Sequence, residues 1–135
     1  MLGKKILVVD DEPNIIAMLK NRLAASGYEV ITAADGMEAL DMARSESPDL
    51  IILDIMLPKM DGYKVCAMLK FDVQYMSTPI IMLTARANES DRKIGEELGV
   101  EDYIVKPFDG KKLVERVNQL LHVPADGIGI SGDEQ

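Results

Sequence analysis

The chain is 135 residues long, enough for one domain with a hydrophobic core of its own. Its formal net charge is -8 and its basic residues are scattered, which excludes a surface built to bind nucleic acid or anionic lipid. Cys66 is the single cysteine, so an internal disulfide is excluded, and its apolar neighbours indicate a buried side chain in a protein of the reducing cytosol.

The amino terminus does not have the pattern of a signal peptide or a membrane span. The apolar run that follows Lys4 and Lys5 ends after four residues at an acidic pair, which is too short for either. We therefore expect a cytoplasmic protein that does not associate with membranes.

Strand and helix patterns alternate in the first part of the chain. The apolar run at 6–9 predicts a first strand, and Pro13 and Gly27 mark the start and the end of a helix. The run at 30–33 predicts a second, weaker strand, which an Asp-Gly turn follows. The inner faces predicted for the helices after these two strands are formed by Ile15, Leu19 and Leu23, and by Met37, Leu40 and Ala43.

The middle of the chain contains the strongest strand pattern. The apolar run from Leu50 to Leu53 is uninterrupted, which is typical of a parallel strand covered on both faces, so we expect it at the centre of a sheet. A helix carrying Val65, Cys66 and Leu69 follows it. Residues 71–78 are predicted to form a loop that leads into a fourth strand.

The last third predicts two helices around a fifth strand. The first helix, at 88–98, is weakly amphipathic, with Ile94 and Leu98 as its main apolar residues. The fifth strand follows at 103–105. The apolar face of the last helix is formed by Leu113, Val117, Leu120 and Leu121.

Alternating strands and helices of this kind predict right-handed crossovers and a three-layer α/β sandwich. We expect residues 1–123 to form this domain. Residues 124–135 are rich in glycine and acid and have no helical or strand period, which predicts a flexible tail or a truncated linker.

Four of the apolar runs end in reactive polar residues, which are Asp10-Asp11, Asp54, Thr84 and Lys106. If these runs are parallel strands of one sheet, their carboxyl ends share one edge, and three carboxylates, a hydroxyl and an ammonium meet there. Such a set binds a hard divalent cation and supplies positive charge and a hydroxyl to a phosphoryl group. The pattern therefore predicts phosphoryl chemistry on a carboxylate. Asp54 is the favoured nucleophile, because it follows the most buried strand and is held rigidly.

The strings V-V-D-D-E, L-D-I-M-L-P-K-M-D-G, L-T-A and V-K-P-F occur in this order at successive strand ends within residues 4–122. Together they closely resemble the receiver domain of two-component response regulators, and the chain is similar to the chemotaxis receivers. The resemblance implies a flavodoxin-like (βα)5 fold, whose five-stranded parallel sheet has the order 2-1-3-4-5. It also implies a signalling switch without separate substrate turnover. A histidine kinase or histidine phosphotransfer protein donates a phosphoryl group to an aspartate in the presence of Mg²⁺ or Mn²⁺.

The resemblance assigns the acidic residues of the pocket. It makes Asp54 the phosphoacceptor. It makes Asp10 and Asp11 the metal-binding pair, which act together with Asp54 and the backbone carbonyl of Met56. Two adjacent carboxylates beside a third repel one another unless a cation neutralises them, which agrees with this assignment. Glu12 is a weaker candidate for this group, and we expect it mainly to place negative charge at the start of the first helix.

The resemblance also assigns Lys106, Thr84 and Tyr103. Lys106 would pair with Asp54 before the reaction and with the phosphoryl oxygens after it, and the Lys106-Pro107 bond would be cis. Thr84 would bind a phosphoryl oxygen. The Tyr103 ring would then turn inward into the vacated space and change the surface of the fourth helix, the fifth strand and the fifth helix.

Two bulky residues, Met56 and Arg86, stand at positions that tune the lifetime of the phosphoaspartate in this family. Neither residue can activate water as a base at neutral pH, so we expect slow self-dephosphorylation. A half-life of seconds for the phosphorylated protein alone would contradict this expectation.

Other interpretations remain open from the residues alone. A flavin-binding flavodoxin relative would place a phosphate at a Ser/Thr/Gly-rich loop, where this chain has an acidic one. A Mg²⁺ phosphohydrolase with an aspartyl intermediate would need a second catalytic acid, which Ile55-Met56 does not offer. His122 is expected to be a solvated residue at a helix end rather than a phosphohistidine.

The oligomeric state is open between a monomer and a phosphorylation-dependent homodimer. Asp102 and Arg116 match one charged pair that transcription-factor receivers use when they dimerise through the fourth helix, fifth strand and fifth helix. Lys112 departs from that pattern, because an acidic partner for Arg92 is expected there. The kinase, the signal and the output domain or target are not identified by the sequence.

Overall fold

A computed structural model describes residues 3–85 and 89–122. The strands are β1 (Lys5–Val9), β2 (Glu29–Ala33), β3 (Leu50–Asp54), β4 (Ile80–Thr84) and β5 (Asp102–Val105). The helices are α1 (Pro13–Ala25), α2 (Gly36–Glu46), α3 (Gly62–Lys70), α4 (Glu89–Leu98) and α5 (Gly110–Leu120). Each strand is followed by a helix, as predicted.

The strands form one parallel sheet in the order β2-β1-β3-β4-β5, which confirms the predicted topology. All five residues of β3 and all five of β4 are buried, as expected for strands covered on both faces. In register, Val9 pairs with Leu53, and Thr84 pairs with Val105. The strands therefore end together, and the residues that follow them lie side by side at one edge.

Two apolar layers hold the helices against the sheet. On one face, Ile6, Val8 and Ile52 pack with buried residues of α1 and α5. On the other face, Leu7, Val9 and other strand residues pack with α2 and α3. Full burial of one such side chain stabilises the fold by roughly 1.5–3 kcal/mol. The buried helix positions that confirm the predicted faces are Leu19, Leu23, Leu40, Ala43, Val65, Cys66, Leu69, Leu113 and Val117.

The inner face of α2 differs from the prediction at Met37, which is 48% exposed. A Cβ built on Gly36 would lie 2.1 Å from the carbonyl oxygen of Met60, so the helix begins in close contact with the loop after β3. Gly36 therefore takes the inward position at the start of the helix. Met37 is one residue further round the helix and points to solvent. The buried face of the helix includes Ala39 instead.

In α4, the apolar residue Ile94 is 40% exposed. The side of α4 that faces the protein carries Asp91 and Gly95, both buried. A Cβ built on Gly95 would lie 3.3 Å from Cδ2 of Tyr103, so the small residue is the one that lies against the sheet. The predicted start of this helix at Asn88 lies outside the described residues.

The remaining boundaries agree well with the sequence. Residues 71–79 contain neither helix nor strand, which confirms the predicted loop at 71–78. Leu120 is the last residue of α5, so Leu121 lies just beyond the helix, and both are partly buried. Among residues 3–85 and 89–122, none of the helices is both long and apolar enough to cross a lipid bilayer. The predicted tail at 124–135 lies outside the described residues.

The start of α3 lies directly against the end of β3. A Cβ on Gly62 would lie 2.4 Å from the carbonyl oxygen of Asp54 and 2.7 Å from Cα of Ile55, both backbone atoms. The Gly62 N–H donates to the Ile55 carbonyl at 2.8 Å, and the Asp61 carboxylate accepts from the Lys64 N–H at 3.0 Å. This tight return holds the loop after β3.

Gly62→Ala is expected to lower the free energy of unfolding by about 1–3 kcal/mol, because the backbone of β3 cannot move away from a methyl group. Gly110→Ala is the matched control, since Gly110 also begins a helix but its Cβ would meet the side chains of Arg22 and Met18, which can move. Urea unfolding measures both variants. Equal losses would contradict the proposed constraint on the loop.

Candidate functional site

Three carboxylates converge at the carboxyl edge of the sheet. Asp10 and Asp11 follow β1, and Asp54 ends β3. One carboxylate oxygen from each lies within 4.8 Å of the other two. Asp10 is 0% exposed and Asp54 is 3% exposed, whereas Asp11 is exposed to solvent. The site is therefore a buried acidic floor that is open on the side of Asp11.

The Lys106 ammonium lies among these carboxylates. Its Nζ is 2.9 Å from Asp10 Oδ2 and 3.3 Å from Asp54 Oδ2. The predicted pair between Lys106 and Asp54 is present, but Asp10 is the closer partner, which the sequence did not indicate. The Lys106-Pro107 bond is cis, in agreement with the resemblance.

Glu12 takes part in the site in a way that the sequence analysis missed. Its Oε2 lies 3.2 Å from Lys106 Nζ. Glu12 stands at the amino terminus of α1, as expected, but its side chain makes no capping hydrogen bond there. No sequence signal distinguishes the two roles, because both require an acid immediately before Pro13.

Backbone donors fix the two buried carboxylates in the same way. Asp10 Oδ1 accepts from the Glu12 N–H at 2.9 Å, and Asp54 Oδ1 accepts from the Met56 N–H at 3.1 Å. Each aspartate thus binds the backbone two residues later through one oxygen and faces Lys106 with the other. The protein itself therefore fixes the orientation of both carboxylates.

The electrostatics of the pocket leave an excess of negative charge. Burial raises the pKa of Asp54, and the charge of Asp10 raises it further, while the Met56 N–H and Lys106 oppose the change. Burial lowers the pKa of Lys106, but the hydrogen bond and charge of Asp10, with the charge of Asp54, raise it above its ordinary value. Lys106 is therefore charged at neutral pH, yet one ammonium does not balance the surrounding carboxylates.

The donor set fits a hard divalent cation. Carboxylate oxygens, with one exposed side left for water, are the surroundings that Mg²⁺ prefers. The backbone of Met56 is adjacent, since its N–H binds Asp54, but the predicted contribution of its carbonyl stays a prediction. The Met56 side chain is 53% exposed. Arg86, the other position expected to tune the phosphoaspartate, lies outside the described residues.

Thr84 lies next to this acidic floor, as predicted. It is 0% exposed at the carboxyl end of β4, one residue beyond the register partner of Asp54. The Lys106 N–H donates to the Thr84 carbonyl at 2.6 Å. That bond ties the loop that carries the lysine to the strand that carries the threonine.

The Tyr103 ring is buried at 8% exposure, between β5 and α4. The guanidinium carbon of Arg92 lies 5.2 Å from the ring centroid, a cation–π contact. The structure describes the ring in this buried orientation. The predicted inward movement of the ring stays a prediction.

Two further expectations lie away from the pocket. His122 is exposed and follows α5, as expected for a solvated residue at a helix end. Arg116 Nε lies 2.7 Å from Asp102 Oδ2. In this structure, the two residues predicted to form a charged pair at this surface therefore form a salt bridge within one chain.

Residues 6–118 match the family model for the response regulator receiver domain. The chain is 52% identical over 120 residues to the alkaline phosphatase synthesis transcriptional regulatory protein PhoP of Bacillus subtilis, covering 89% of this chain and 49% of that protein. It is 53% identical over 118 residues to the probable transcriptional regulator ycf27 of Cyanophora paradoxa, covering 87% and 48%. The chain thus spans about half the length of these curated relatives.

Solved structures give the same result. The chemotaxis response regulator CheY4 of Vibrio cholerae superposes with a TM-score of 0.82 at 36% identity, covering 89% of this chain and 99% of that chain. The BeF3-activated receiver domain of DrrB superposes with a TM-score of 0.81 at 34% identity, covering 90% and 99%.

Asp54→Asn is expected to raise the free energy of unfolding at neutral pH in EDTA. Folding raises the pKa of Asp54, so the folded chain binds this proton more tightly than the unfolded chain, and the ionised carboxylate costs stability above that pKa. The gain should shrink as the pH falls through the raised pKa, because the wild-type carboxyl is then neutral. It should also shrink in excess Mg²⁺.

Asp41→Asn is the control for this measurement, because it removes the same charge from an exposed position on α2. Urea unfolding of both variants against pH, with and without Mg²⁺, gives the comparison. An equal gain for Asp41→Asn would mean that only the net charge of the protein matters, and the local explanation would be wrong.

Proposed function

Because this chain belongs to the family of response regulator receiver domains, which act as phosphorylation-dependent switches in two-component signalling, we propose that Asp54 is the residue that accepts the phosphoryl group. The donor is a phosphorylated histidine on a histidine kinase or a histidine phosphotransfer protein. Residues 1–123 form the unit that carries out this reaction.

The proposal is carried by one observation, which is the convergence of Asp54 with Asp10, Asp11 and Lys106 in a single pocket. Each neighbouring carboxylate makes the ionisation of a buried aspartate more costly. Three carboxylates placed together are therefore unfavourable unless positive charge is supplied. A nucleophile that works with a divalent cation needs this arrangement.

Mg²⁺, or Mn²⁺ in its place, would be held by Asp10, Asp11, Asp54 and the Met56 carbonyl. When bound, it supplies positive charge to the carboxylates and to the phosphoryl oxygens. The proximity of the Asp10, Asp11 and Asp54 carboxylates supports this proposal, and the site is open to solvent on the side of Asp11.

The transfer is a single displacement at phosphorus. A carboxylate oxygen of Asp54 forms a bond to phosphorus, the bond from phosphorus to the imidazole nitrogen breaks, and its electron pair returns to the imidazole. The Met56 N–H holds Asp54 Oδ1 throughout. The Lys106 ammonium, 3.3 Å from Asp54 Oδ2 before transfer, neutralises the phosphoryl oxygens afterwards.

The new dianion acts on the switch through Thr84 and Tyr103. The Thr84 hydroxyl, at the end of the neighbouring strand, donates to a phosphoryl oxygen. The Tyr103 ring occupies its buried position when Thr84 is engaged, and the surface of α4, β5 and α5 changes with it. A partner that prefers this surface reads the phosphorylated state.

The protein acts as a cytoplasmic switch rather than as an enzyme with a separate substrate, and this chain does not itself bind nucleic acid. Two relatives are named transcriptional regulators, so control of transcription is the output that we favour. Slow loss of the phosphoryl group is expected because neither Met56 nor the protonated Arg86 can activate water as a base at neutral pH.

Incubation with acetyl phosphate and Mg²⁺ is expected to add the mass of one phosphoryl group to the wild-type protein and none to Asp54→Asn. Intact-mass spectrometry measures both, because the acyl phosphate of Asp54 survives a rapid acidic quench. Asp61→Asn is the matched control, since Asp61 is an exposed aspartate a few residues away that Asn can replace as a helix cap, and it should be modified like the wild type.

Phosphorylation of Asp54→Asn at the wild-type rate would contradict the proposal. So would repeated turnover of a small phosphate ester by the wild-type protein, because that outcome identifies a phosphohydrolase.

A further inference from the structure

The end of α3 and the loop that follows it expose a group of apolar side chains. Met68, near the end of the helix, is 39% exposed, and in the loop Phe71 is 76%, Val73 86% and Met76 54% exposed. Among the described residues, these are four of the seven large apolar side chains that are exposed. We call these four residues the α3 patch. Exposed apolar side chains gathered in one short segment are typical of an interaction surface.

The loop that carries most of this patch is held from the inside. The buried Lys70 ammonium donates to the Thr78 carbonyl at 3.0 Å and to Glu101 Oε1 at 3.1 Å. The same carboxylate oxygen accepts from the Ile80 N–H at 2.8 Å. These internal bonds fix the shape of the loop, so a partner that binds the α3 patch has little ordering cost to overcome.

Opposite charges stand at equal spacing on either side of Met68. Lys64 precedes it by four residues and Asp72 follows it by four, which places all three along one side of α3 and of the turn that extends it. The Asp72 N–H donates to the Leu69 carbonyl at 3.1 Å in that turn, and Asp72 Oδ1 accepts from the Gln74 N–H at 2.9 Å. Neither Lys64 nor Asp72 forms an ion pair with another of the described residues.

We propose that the α3 patch is a contact surface between two copies of this chain, related by a two-fold axis that passes near Met68. The two α3 helices then run antiparallel, so Lys64 of each copy meets Asp72 of the other, and the apolar side chains lie between these two pairs. This self-complementary pattern of charge is what favours a second copy over a partner of another sequence.

The contact is independent of the switch. It lies outside the surface of α4, β5 and α5, and it needs neither Mg²⁺ nor a phosphoryl group, so it does not rest on the proposed function. A stable dimer buries about 800 Å² on each partner, which four partly exposed side chains do not reach. We therefore expect weak association that is measurable only at high protein concentration.

Sedimentation equilibrium over a range of protein concentrations, without Mg²⁺ or a phosphoryl donor, tests the proposal. We expect the wild type to dimerise reversibly and Phe71→Ser to associate at least about tenfold more weakly, because a two-fold contact loses the ring twice. Met76→Ser should also weaken association. Met37→Ser is its matched control, since Met37 has a similar exposure of 48% but lies on α2, and it should associate like the wild type.

Charge reversal tests the orientation of the two copies. Lys64→Asp places like charges at both ends of the contact, and so does Asp72→Lys, so each variant alone should associate at least about threefold more weakly than the wild type. A one-to-one mixture of the two variants restores both pairs between unlike copies, and its association should return to the wild-type strength. The mixture is decisive, because Asp72→Lys also loses the hydrogen bond with the Gln74 N–H.

Three results overturn the proposal. The first is a wild-type protein that stays monomeric at millimolar concentration, whatever other molecule then binds the α3 patch. The second is association that Phe71→Ser leaves unchanged, because the two copies then meet elsewhere. The third is a mixture of the two charge variants that associates no more strongly than either variant alone.

Discussion

The contact between the Lys106 ammonium and the buried carboxylates of Asp10 and Asp54 is the interaction on which the site depends. A carboxylate without a partner in the interior is strongly destabilising, and two of them close together add mutual repulsion. Lys106 compensates part of this cost and remains charged as a result. The excess negative charge suits this pocket to a divalent cation.

The fold supplies that contact by bringing distant parts of the chain to one edge. The parallel register aligns the ends of β1, β3, β4 and β5, so residues that are far apart in the sequence become neighbours. Gly62 and Gly36 then let two helices begin against the loop after β3. A loop held this closely keeps the Met56 N–H on Asp54, so the protein itself orients this carboxylate.

Much of this arrangement could be predicted, because strand ends and helix starts leave local signals in the sequence. Such signals involve only residues that are close in the sequence. They include the uninterrupted apolar run at β3, the proline at the start of α1 and the polar residues after the strands. The error at Met37 arose where Gly36 took the inward position, since close backbone contact outweighed hydrophobic periodicity. The contacts of Glu12 with Lys106 and of Tyr63 with Asp91 depend on which way long side chains turn in the folded protein. Periodicity carries no information about that choice.

We propose that, among the described residues, the acidic cluster at the carboxyl edge is the cation site. The protein has a second acidic group at the opposite edge, where Glu46 and Asp49 surround Lys5. A small amount of Mn²⁺ added to ¹⁵N-labelled protein broadens the NMR signals of the amides nearest to the bound ion. We expect the signals of Asp11 and Met56 to broaden first, while those of Glu46 and Asp49 persist. Broadening centred on Glu46 and Asp49 would contradict this proposal.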